Sequence, residues 1–216
     1  MQPDYWHSRW REGQIAFHRA EANPLLIEHR AVFDQCTRVL VPLCGKSVDL
    51  EWLVIHGFQV VGVELSDLAA QAFFSERALV PTRREQAGFV VYELGNLAIW
   101  VGDFFATNPA DLGIFDAVYD DAALIALPPE LRRSYVSQIR KLIAPGAKLL
   151  LITLHFDAPG GPPFSVSEEE VRELYAAASE IRCLATLDAR ADSPDPIERG
   201  ASFVHEMVYA LSFAQP

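Results

Sequence analysis

Short runs of apolar, often β-branched residues alternate along the chain with longer segments whose apolar positions repeat at helical spacing. A short continuous apolar run is typical of a strand buried on both faces of a parallel sheet, and the helical spacing is typical of the helices that cover such a sheet. We predict strands at residues 39–41, 59–63, 89–93, 97–101, 115–119, 148–154, 182–188 and 203–213. We predict helices at residues 23–33, 48–56, 66–81, 129–143 and 167–178, and a polar loop at residues 82–88.

This alternation predicts an α/β fold with a doubly wound, mostly parallel seven-stranded sheet whose last strand is antiparallel. The last two predicted strands are joined by an Asp/Pro-rich loop at residues 189–200 rather than by a helix, which favours the antiparallel pairing. The length of 216 residues suits one domain spanning residues 1–216.

The first strand, turn, helix and second strand form the unit around which the chain is organised. Pro42 ends the strand, Gly45 permits a tight turn, Ser47 is a candidate N-cap, and Glu64 ends the second strand 19 residues after Gly45. In nucleotide-binding α/β folds, an acid about 20 residues beyond the glycine turn accepts hydrogen bonds from ribose hydroxyls. Gly45 and Glu64 are therefore candidate cofactor-binding residues. The alternative is that Glu64 only caps the helix that Ser66 opens.

The glycine content of the turn limits the class of cofactor. Gly45 is the only glycine between Arg38 and His56, whereas a dinucleotide-binding turn needs three glycines. A P-loop needs a glycine five residues before Gly45, where the chain has Leu40. Both phosphate-binding patterns therefore fit poorly. A cofactor with ribose and adenine but no phosphate fits better, and S-adenosylmethionine is the candidate of that kind.

Aromatic residues crowd the N-terminal segment, at Tyr5, Trp6, Trp10 and Phe17. Trp6 and Trp10 are four residues apart, so they share a face if the segment is helical. One interpretation is a helix that packs on the core through an aromatic stripe. The other is a helical flap, residues 1–34, that covers the cofactor, because aromatic faces attract a sulfonium and a lid excludes water.

A second candidate segment, Gly102-Asp103-Phe104-Phe105, follows the apolar run at residues 97–101. In this position Asp103 can accept a hydrogen bond from an adenine amino group while Phe104 covers the ring. The alternative is an ordinary turn after a strand.

Composition narrows the range of partners. The net charge is −11, with a pI of about 4.9, so the basic footprint of a nucleic-acid-binding protein is missing and a small-molecule substrate is favoured. The three cysteines have no C-x-x-C spacing and the six histidines form no ligand pattern, so we expect neither disulfides nor a metal site. Without a signal peptide or an apolar run of about 18 residues, we expect a cytoplasmic protein with no membrane partner, and a monomer.

Seven motifs then occur in order along nearly the whole chain. They are W-x-x-x-W at 6–10, A-F-H at 16–18, P-L-C-G-K-S at 42–47, G-V-E-L-S at 62–66, F-D-A-V-Y-D at 115–120, G-P-P-F at 161–164 and I-R-C-L at 181–184. In this order and combination the chain resembles the thiopurine S-methyltransferase family, which belongs to the class I S-adenosylmethionine-dependent methyltransferases.

The resemblance implies a Rossmann-like methyltransferase fold and transfer of a methyl group from S-adenosyl-L-methionine to a small-molecule thiol, thiopurine or selenium acceptor. Among the matching positions, Glu64 would hold the ribose hydroxyls, Asp103 and Phe104 would contact adenine, and Phe17 would touch cofactor and acceptor. The candidate cofactor-binding residues are, in full, Trp6, Trp10, Phe17, Leu43, Gly45, Glu64, Asp103, Phe104 and Asp121.

One position departs from the family pattern. The family usually has an arginine after the aspartate that matches Asp120, and this chain has Asp121 there. An anion at this position would repel an anionic thiolate, which puts a thiopurine acceptor in question. Phe17 and Asp121 are the candidate acceptor-binding residues, and Asp121 is the candidate catalytic base. The alternative for Asp121 is a helix N-cap on the surface.

Other classes of protein remain in consideration. A methyltransferase acting on nucleic acid would carry a basic face and an N/D-P-P-Y-type motif after the fourth strand, where this chain has Asp-Asp-Ala-Ala at 120–123. A dehydrogenase would need the three-glycine turn. A class I methyltransferase of another small acceptor, and a relative that binds the cofactor without catalysis, are the alternatives that the sequence leaves open.

Overall fold

Nine strands form a single sheet in the computed structural model, which describes residues 3–15 and 18–214. The strands are β1 (Arg38–Pro42), β2 (Gln59–Glu64), β3 (Thr82–Gln86), β4 (Phe89–Leu94), β5 (Leu97–Val101), β6 (Phe115–Asp121), β7 (Ile143–Phe156), β8 (Glu180–Asp188) and β9 (Val204–Ser212). Their order across the sheet is β3-β4-β5-β2-β1-β6-β7-β9-β8.

The helices connect the strands and cover both faces of the sheet. They are α1 (Pro3–Arg11), α2 (Pro24–Glu28), α3 (Asp49–Ile55), α4 (Asp67–Ser75), α5 (Pro109–Leu112), α6 (Ala123–Ala126), α7 (Pro129–Leu142), α8 (Glu168–Leu174) and α9 (Pro194–Glu198). Two short 3₁₀ helices span Arg30–Phe33 and Phe104–Ala106. No helix within the described residues is long and apolar enough to cross a bilayer.

The predicted fold class is confirmed. The central strands β5, β2, β1, β6 and β7 pair in parallel, and β9 runs antiparallel to both β7 and β8. The predicted count of seven strands is wrong, because the sheet has nine. β3 and β4 extend it beyond β5 as antiparallel strands, and of these two only β4 corresponds to a predicted strand, at residues 89–93.

Several predicted element boundaries are wrong. The predicted loop at residues 82–88 contains strand β3, whose residues are polar and mostly exposed. The single helix predicted at 23–33 is divided into α2 and a 3₁₀ helix, and the helix predicted at 66–81 ends at Ser75. Ser47 is not the N-cap of α3, since Val48 holds that position, but the Ser47 hydroxyl accepts a hydrogen bond from the Asp49 amide (3.1 Å).

The sheet is buried on both faces, as the apolar runs predict. In β1, Val39, Leu40 and Val41 are at most 4% exposed. Leu40 packs in the cluster that includes residues of α6, α7 and α8, whereas Val39 and Val41 pack with residues of α2, α3 and α4. Successive residues of a strand point to opposite faces, so each face needs its own helical layer.

The parallel pairing places the ends of four strands at one edge of the sheet. Pro42 of β1 lies beside Val63 of β2, Glu64 lies beside Val101 of β5, and β6 ends nearby at Asp121. In open α/β sheets, ligands bind in the crevice outside this carboxyl edge.

Candidate functional site

The turn after β1 forms the floor of a crevice at the carboxyl edge. Leu43 and Gly45 both have positive φ angles, 50° and 54°. The Cys44 amide donates to the Val63 carbonyl (3.1 Å), which fixes the turn against β2. A Cβ atom on Gly45 would lie 3.1 Å from Cζ2 of Trp10, so glycine allows the tryptophan ring to approach the turn. Gly45 is therefore needed both for its backbone conformation and for the close approach.

Glu64 is held in the crevice by backbone donors. Its Oε2 accepts from the Gly45 amide (2.8 Å) and its Oε1 from the Ser66 amide (2.7 Å), and the residue is 5% exposed. Burial raises the pKa of Glu64, while the amides of Ser66, Gly45 and Leu65 favour the charged form. The bond to Ser66 shows that Glu64 also satisfies an amide near the start of α4. The capping role and the ligand-binding role are thus compatible, because each oxygen keeps a lone pair.

Lys46 does not serve as a phosphate ligand in this crevice. Its ammonium donates to Glu76 Oε1 (2.6 Å), just after α4, and the residue is 8% exposed. The Gly-Lys-Ser fragment of the turn is therefore not a P-loop. This arrangement agrees with the expectation of a cofactor without phosphate.

The segment after β5 forms a second wall. The Gly102 amide donates to the Glu64 carbonyl (2.8 Å), and Asp103 accepts from the Phe105 amide (2.9 Å), which opens a 3₁₀ turn. Phe104 is 4% exposed and packs on Tyr135 with ring centroids 5.3 Å apart, whereas Phe105 is 36% exposed. Both phenylalanines line the crevice.

Helix α1 forms the third wall. Trp6 and Trp10 are half-buried and both line the crevice, which confirms that they share a face of one helix. None of the residues of α1 is fully buried. The helix therefore lies on the surface of the fold, with its two tryptophans turned toward the crevice.

These walls enclose a cavity of about 300 Å³. It is lined by Pro3, Trp6, Trp10, Leu43, Gly45, Val63, Glu64, Leu65, Gly102, Asp103, Phe104, Phe105, Ala126, Leu127 and Leu131. Among the lining residues that the structure describes, the only acidic or basic side chains are those of Glu64 and Asp103. A mostly apolar cavity with a few convergent polar groups is the usual form of a small-molecule site.

A fourth wall, formed by α6 and the start of α7, was not predicted from the sequence. The Leu127 carbonyl accepts from Nε of Arg132 (3.0 Å), a fully buried arginine whose Nη1 also contacts Glu170 (2.6 Å). The Asp120 carboxylate accepts from the Leu124 amide (3.2 Å). The apolar side chains of this wall carry no pattern of their own. The Pro-Pro pair at 128–129 was the only local signal that a chain reversal brings them to the crevice.

The structure brings together Trp6, Trp10, Leu43, Gly45, Glu64, Asp103 and Phe104 of the predicted site. Phe17 lies outside the described residues. Asp121 lies beside the crevice rather than in its lining, where it accepts from Asn23 Nδ2 (2.9 Å) and faces the Tyr119 hydroxyl (3.2 Å). The N-cap alternative for Asp121 is wrong, because Ala122 is the N-cap residue of α6. The carboxylate that accepts a hydrogen bond from an amide of α6 is that of Asp120.

Comparison with known proteins identifies the family. The profile described as thiopurine S-methyltransferase matches residues 1–213. The chain is 42% identical to thiopurine S-methyltransferase of Pseudomonas fluorescens (strain SBW25) over 215 residues, covering 98% of this chain and 99% of the relative. It is also 42% identical to the protein of the same name from Azotobacter vinelandii, with the same coverage.

Solved structures share the fold at low sequence identity. One is the Burkholderia thailandensis 1,6-didemethyltoxoflavin-N1-methyltransferase with bound S-adenosylhomocysteine, with a TM-score of 0.66 and 14% identity over 99% of this chain and 87% of that chain. Another is an S-adenosylmethionine-dependent methyltransferase from Methanosarcina mazei, with a TM-score of 0.60 and 15% identity over 88% of this chain and 98% of that chain. The fold is that of the Rossmann-like methyltransferases, and the chain belongs to the thiopurine S-methyltransferase family.

Proposed function

We propose that this methyltransferase transfers a methyl group from S-adenosylmethionine to the sulfur, or selenium, of a small-molecule acceptor. The observation that carries the proposal is the charge of the crevice. Two carboxylates and several aromatic rings line it, and none of its described lining residues is a lysine, arginine or histidine. Such a lining suits a nucleoside with a cationic sulfur and disfavours a ligand with phosphates.

The residues of the crevice fit this cofactor group by group. Glu64, oriented by the Gly45 and Ser66 amides, would accept from the ribose hydroxyls. Asp103 and Phe104 would hold the adenine, and Trp6 and Trp10 would face the sulfonium, with Leu43 beneath. When bound, the cofactor supplies an electrophilic methyl group on a positively charged sulfur.

The protein's own contribution is to orient the reactants and to exclude water. The apolar walls and α1 shield the crevice, and holding reactants in alignment contributes strongly to such reactions. Among the described lining residues, only Glu64 and Asp103 carry an acidic or basic side chain, and both already accept backbone hydrogen bonds. We therefore propose acceptors that ionise near neutral pH, so that no base in the described lining is required, since a thiolate attacks more readily than a thiol.

The proposal also concerns the kind of acceptor, the oligomeric state of the protein and its location. The wall of Ala126, Leu127 and Leu131 is apolar and suits a flat or apolar acceptor such as a thiopurine, or a small thiol or selenium compound. The acceptor contacts of Phe17 and Asp121 and the base role of Asp121 stay predictions. So do a flap formed by residues 1–34, a monomeric state and a cytoplasmic location.

An acceptor screen tests the proposed function. The purified protein is incubated with S-adenosylmethionine and a panel of thiols, selenols, thiopurines, amines and phenols, and products are detected by mass spectrometry. We expect a mass gain of one methyl group on sulfur or selenium compounds only. Binding of S-adenosylhomocysteine without any methylated product would favour the non-catalytic alternative. Methylation only at nitrogen or oxygen would favour another class of acceptor.

Asp121→Arg restores the residue that the family usually has at this position. We expect the variant to raise kcat/KM for anionic thiolates by about tenfold relative to neutral thiols, because the local charge changes from negative to positive. The measurement is kcat/KM for matched anionic and neutral acceptors in both proteins. Equal ratios in the two proteins would show that residue 121 does not face the acceptor.

Gly45→Ala tests the contact between the turn and Trp10. We expect the affinity for S-adenosylhomocysteine to fall about tenfold, because alanine at this positive φ is strained by about 1 kcal/mol and its Cβ would push the indole away. Gly95→Ala is the matched control, since Gly95 has a φ of 57° and no neighbouring atom within 4 Å of the added Cβ. Calorimetric titration of both variants separates strain from the Trp10 contact, and equal affinities would contradict the prediction.

A further inference from the structure

A fully buried residue, Asn23, fixes the end of the N-terminal segment to the sheet. Its amide N–H donates to Asp49 Oδ1 (2.7 Å). Its side-chain Nδ2 donates to Asp121 Oδ2 (2.9 Å), and its Oδ1 accepts from the Leu25 amide (2.9 Å). The residue before α2 is thus fixed by hydrogen bonds in three directions. It stands at the point where the described N-terminal residues, 3–15 and 18–22, continue into α2.

The partners of Asn23 form a small polar cluster on the central strand. Tyr119 Oη lies 3.0 Å from Asp49 Oδ2 and 3.2 Å from Asp121 Oδ2. A hydroxyl has one proton, so it donates to one of the two carboxylates at a time. Asn23 supplies a separate donor to each carboxylate and therefore completes the cluster. Burial, and then the charge of Asp121, raise the pKa of Asp49, as expected for two carboxylates that share their donors.

An ion pair also ties the described part of residues 3–22 to the far strands, and it is weaker. Arg19 Nη2 lies 3.4 Å from Glu206 Oε1, and the arginine side chain is 46% exposed. Exposed ion pairs are screened by water and contribute little. A buried amide that donates to a carboxylate is a charge-assisted hydrogen bond and is stronger. The Asn23–Asp121 bond is therefore the stronger of these two polar contacts.

We propose that Asp121 is a positioning residue, which fixes the N-terminal segment over the cofactor crevice through Asn23. The proposal rests on the proposed function insofar as the crevice holds the cofactor. It gives Asp121 a role through its partner Asn23 that does not require contact with the reacting atoms. Asp121 lies at the end of β6, paired with Ile152 of β7, so its own position is fixed by the centre of the sheet.

Hydrogen–deuterium exchange of Asp121→Ala tests the position of the segment directly. We expect faster exchange in peptides from residues 3–15 and 18–22 and unchanged exchange in β7. The KM for S-adenosylmethionine should rise about tenfold, whereas kcat should stay within about twofold of the wild-type value. This is the size of effect expected from the loss of one charge-assisted hydrogen bond. Asp121→Asn keeps an oxygen that can accept from Asn23, so it should restore most of the protection and the KM.

Asp116→Ala is the matched control on the same strand. The Asp116 carboxylate accepts from the Thr37 amide (2.9 Å), the Thr37 hydroxyl (2.8 Å) and the Arg38 amide (2.7 Å) at the opposite end of β6. This variant should lower the melting temperature without selective exchange in residues 3–22.

Three outcomes would overturn the proposal. Unchanged exchange with a lower kcat in both Asp121→Ala and Asp121→Asn would make Asp121 a residue of the chemical step. Faster exchange throughout the chain would make it a general stabilising residue, and unchanged exchange and kinetics would remove it from both roles. If the wild type does not bind S-adenosylhomocysteine, the proposed function fails, but the exchange comparison still decides whether Asp121 fixes the segment.

Discussion

Glu64→Ala is expected to weaken the binding of S-adenosylhomocysteine by about 100-fold or more, the largest effect on binding that the site predicts. In the proposed complex the Glu64 carboxylate accepts from the ribose hydroxyls, and each hydrogen bond to a charged group contributes about 1.5–3 kcal/mol. The substitution also leaves the Gly45 and Ser66 amides without their acceptor. The turn that supports Trp10 then keeps the bond from the Cys44 amide to the Val63 carbonyl but loses its second hydrogen bond to β2.

The measurement is titration calorimetry with S-adenosylhomocysteine, accompanied by thermal unfolding. Glu64→Gln has the same shape, but its amide nitrogen must face one of the two backbone N–H donors, so we expect a loss of affinity nearly as large. Glu85→Gln is the control, since Glu85 lies on the exposed edge strand β3. Affinity within about threefold of wild type in Glu64→Ala, with the fold intact, would contradict the assignment of Glu64 to the ribose.

The sequence predicts those parts of the site whose residues lie close to one another along the chain. Gly45 and Glu64 belong to one strand–turn–helix–strand unit of adjacent sequence, so the spacing of a glycine and an acid indicates that they meet. Trp6 and Trp10 are brought together by one turn of helix. Neither inference needs a contact between distant segments, apart from the parallel pairing of β1 and β2, which the alternation of elements predicts.

The parts that the sequence does not predict depend on distant packing or on the sheet edge. Strand β3 reads Thr-Arg-Arg-Glu-Gln and has no apolar face, because it is an edge strand largely exposed to solvent. Only the backbone pairing with β4 makes it a strand. The wall of Ala126, Leu127 and Leu131 consists of ordinary apolar residues. Its place at the crevice is set by the hydrogen bond that Arg132 donates to the Leu127 carbonyl and by the one that the Asp120 carboxylate accepts from the Leu124 amide.

The neighbouring acids Asp120 and Asp121 show a further limit. Both end β6, and the sequence indicates that they lie at the carboxyl edge without indicating which way each side chain points. In the structure Asp120 turns toward α6 and α7, where Tyr135 donates to it (2.7 Å), and Asp121 turns toward Asn23 on the other side. Alternation along a strand guarantees this divergence, but only the packed helices determine which acid meets which partner.

Asp120 is expected to make the stability of the protein depend on pH near neutrality. It is fully buried, and burial raises the pKa of its carboxyl to about 7, although hydrogen bonds from Tyr135, Leu124 and Ala123 favour the charged form. Because the pKa in the folded state lies above that of the unfolded chain, the unfolded chain binds fewer protons between these values. The contribution of Asp120 to stability is therefore present at low pH and is lost as the pH rises to about 7.

Asp120→Asn removes this titration while keeping the size of the side chain and an oxygen for the Leu124 amide. At each pH we compare the free energy of unfolding of the variant with that of wild type. We expect this difference to shift in favour of the variant by about 2 kcal/mol as the pH rises from about 5 to about 8. Urea unfolding at both pH values measures the difference, and Asp195→Asn, an exposed acid, should show a constant offset. A constant offset for Asp120→Asn as well would mean that the carboxyl does not change its charge in this range. In that case the Tyr135 and α6 hydrogen bonds would outweigh burial and keep Asp120 ionised, because a carboxylate with enough donors is stable even when water is excluded.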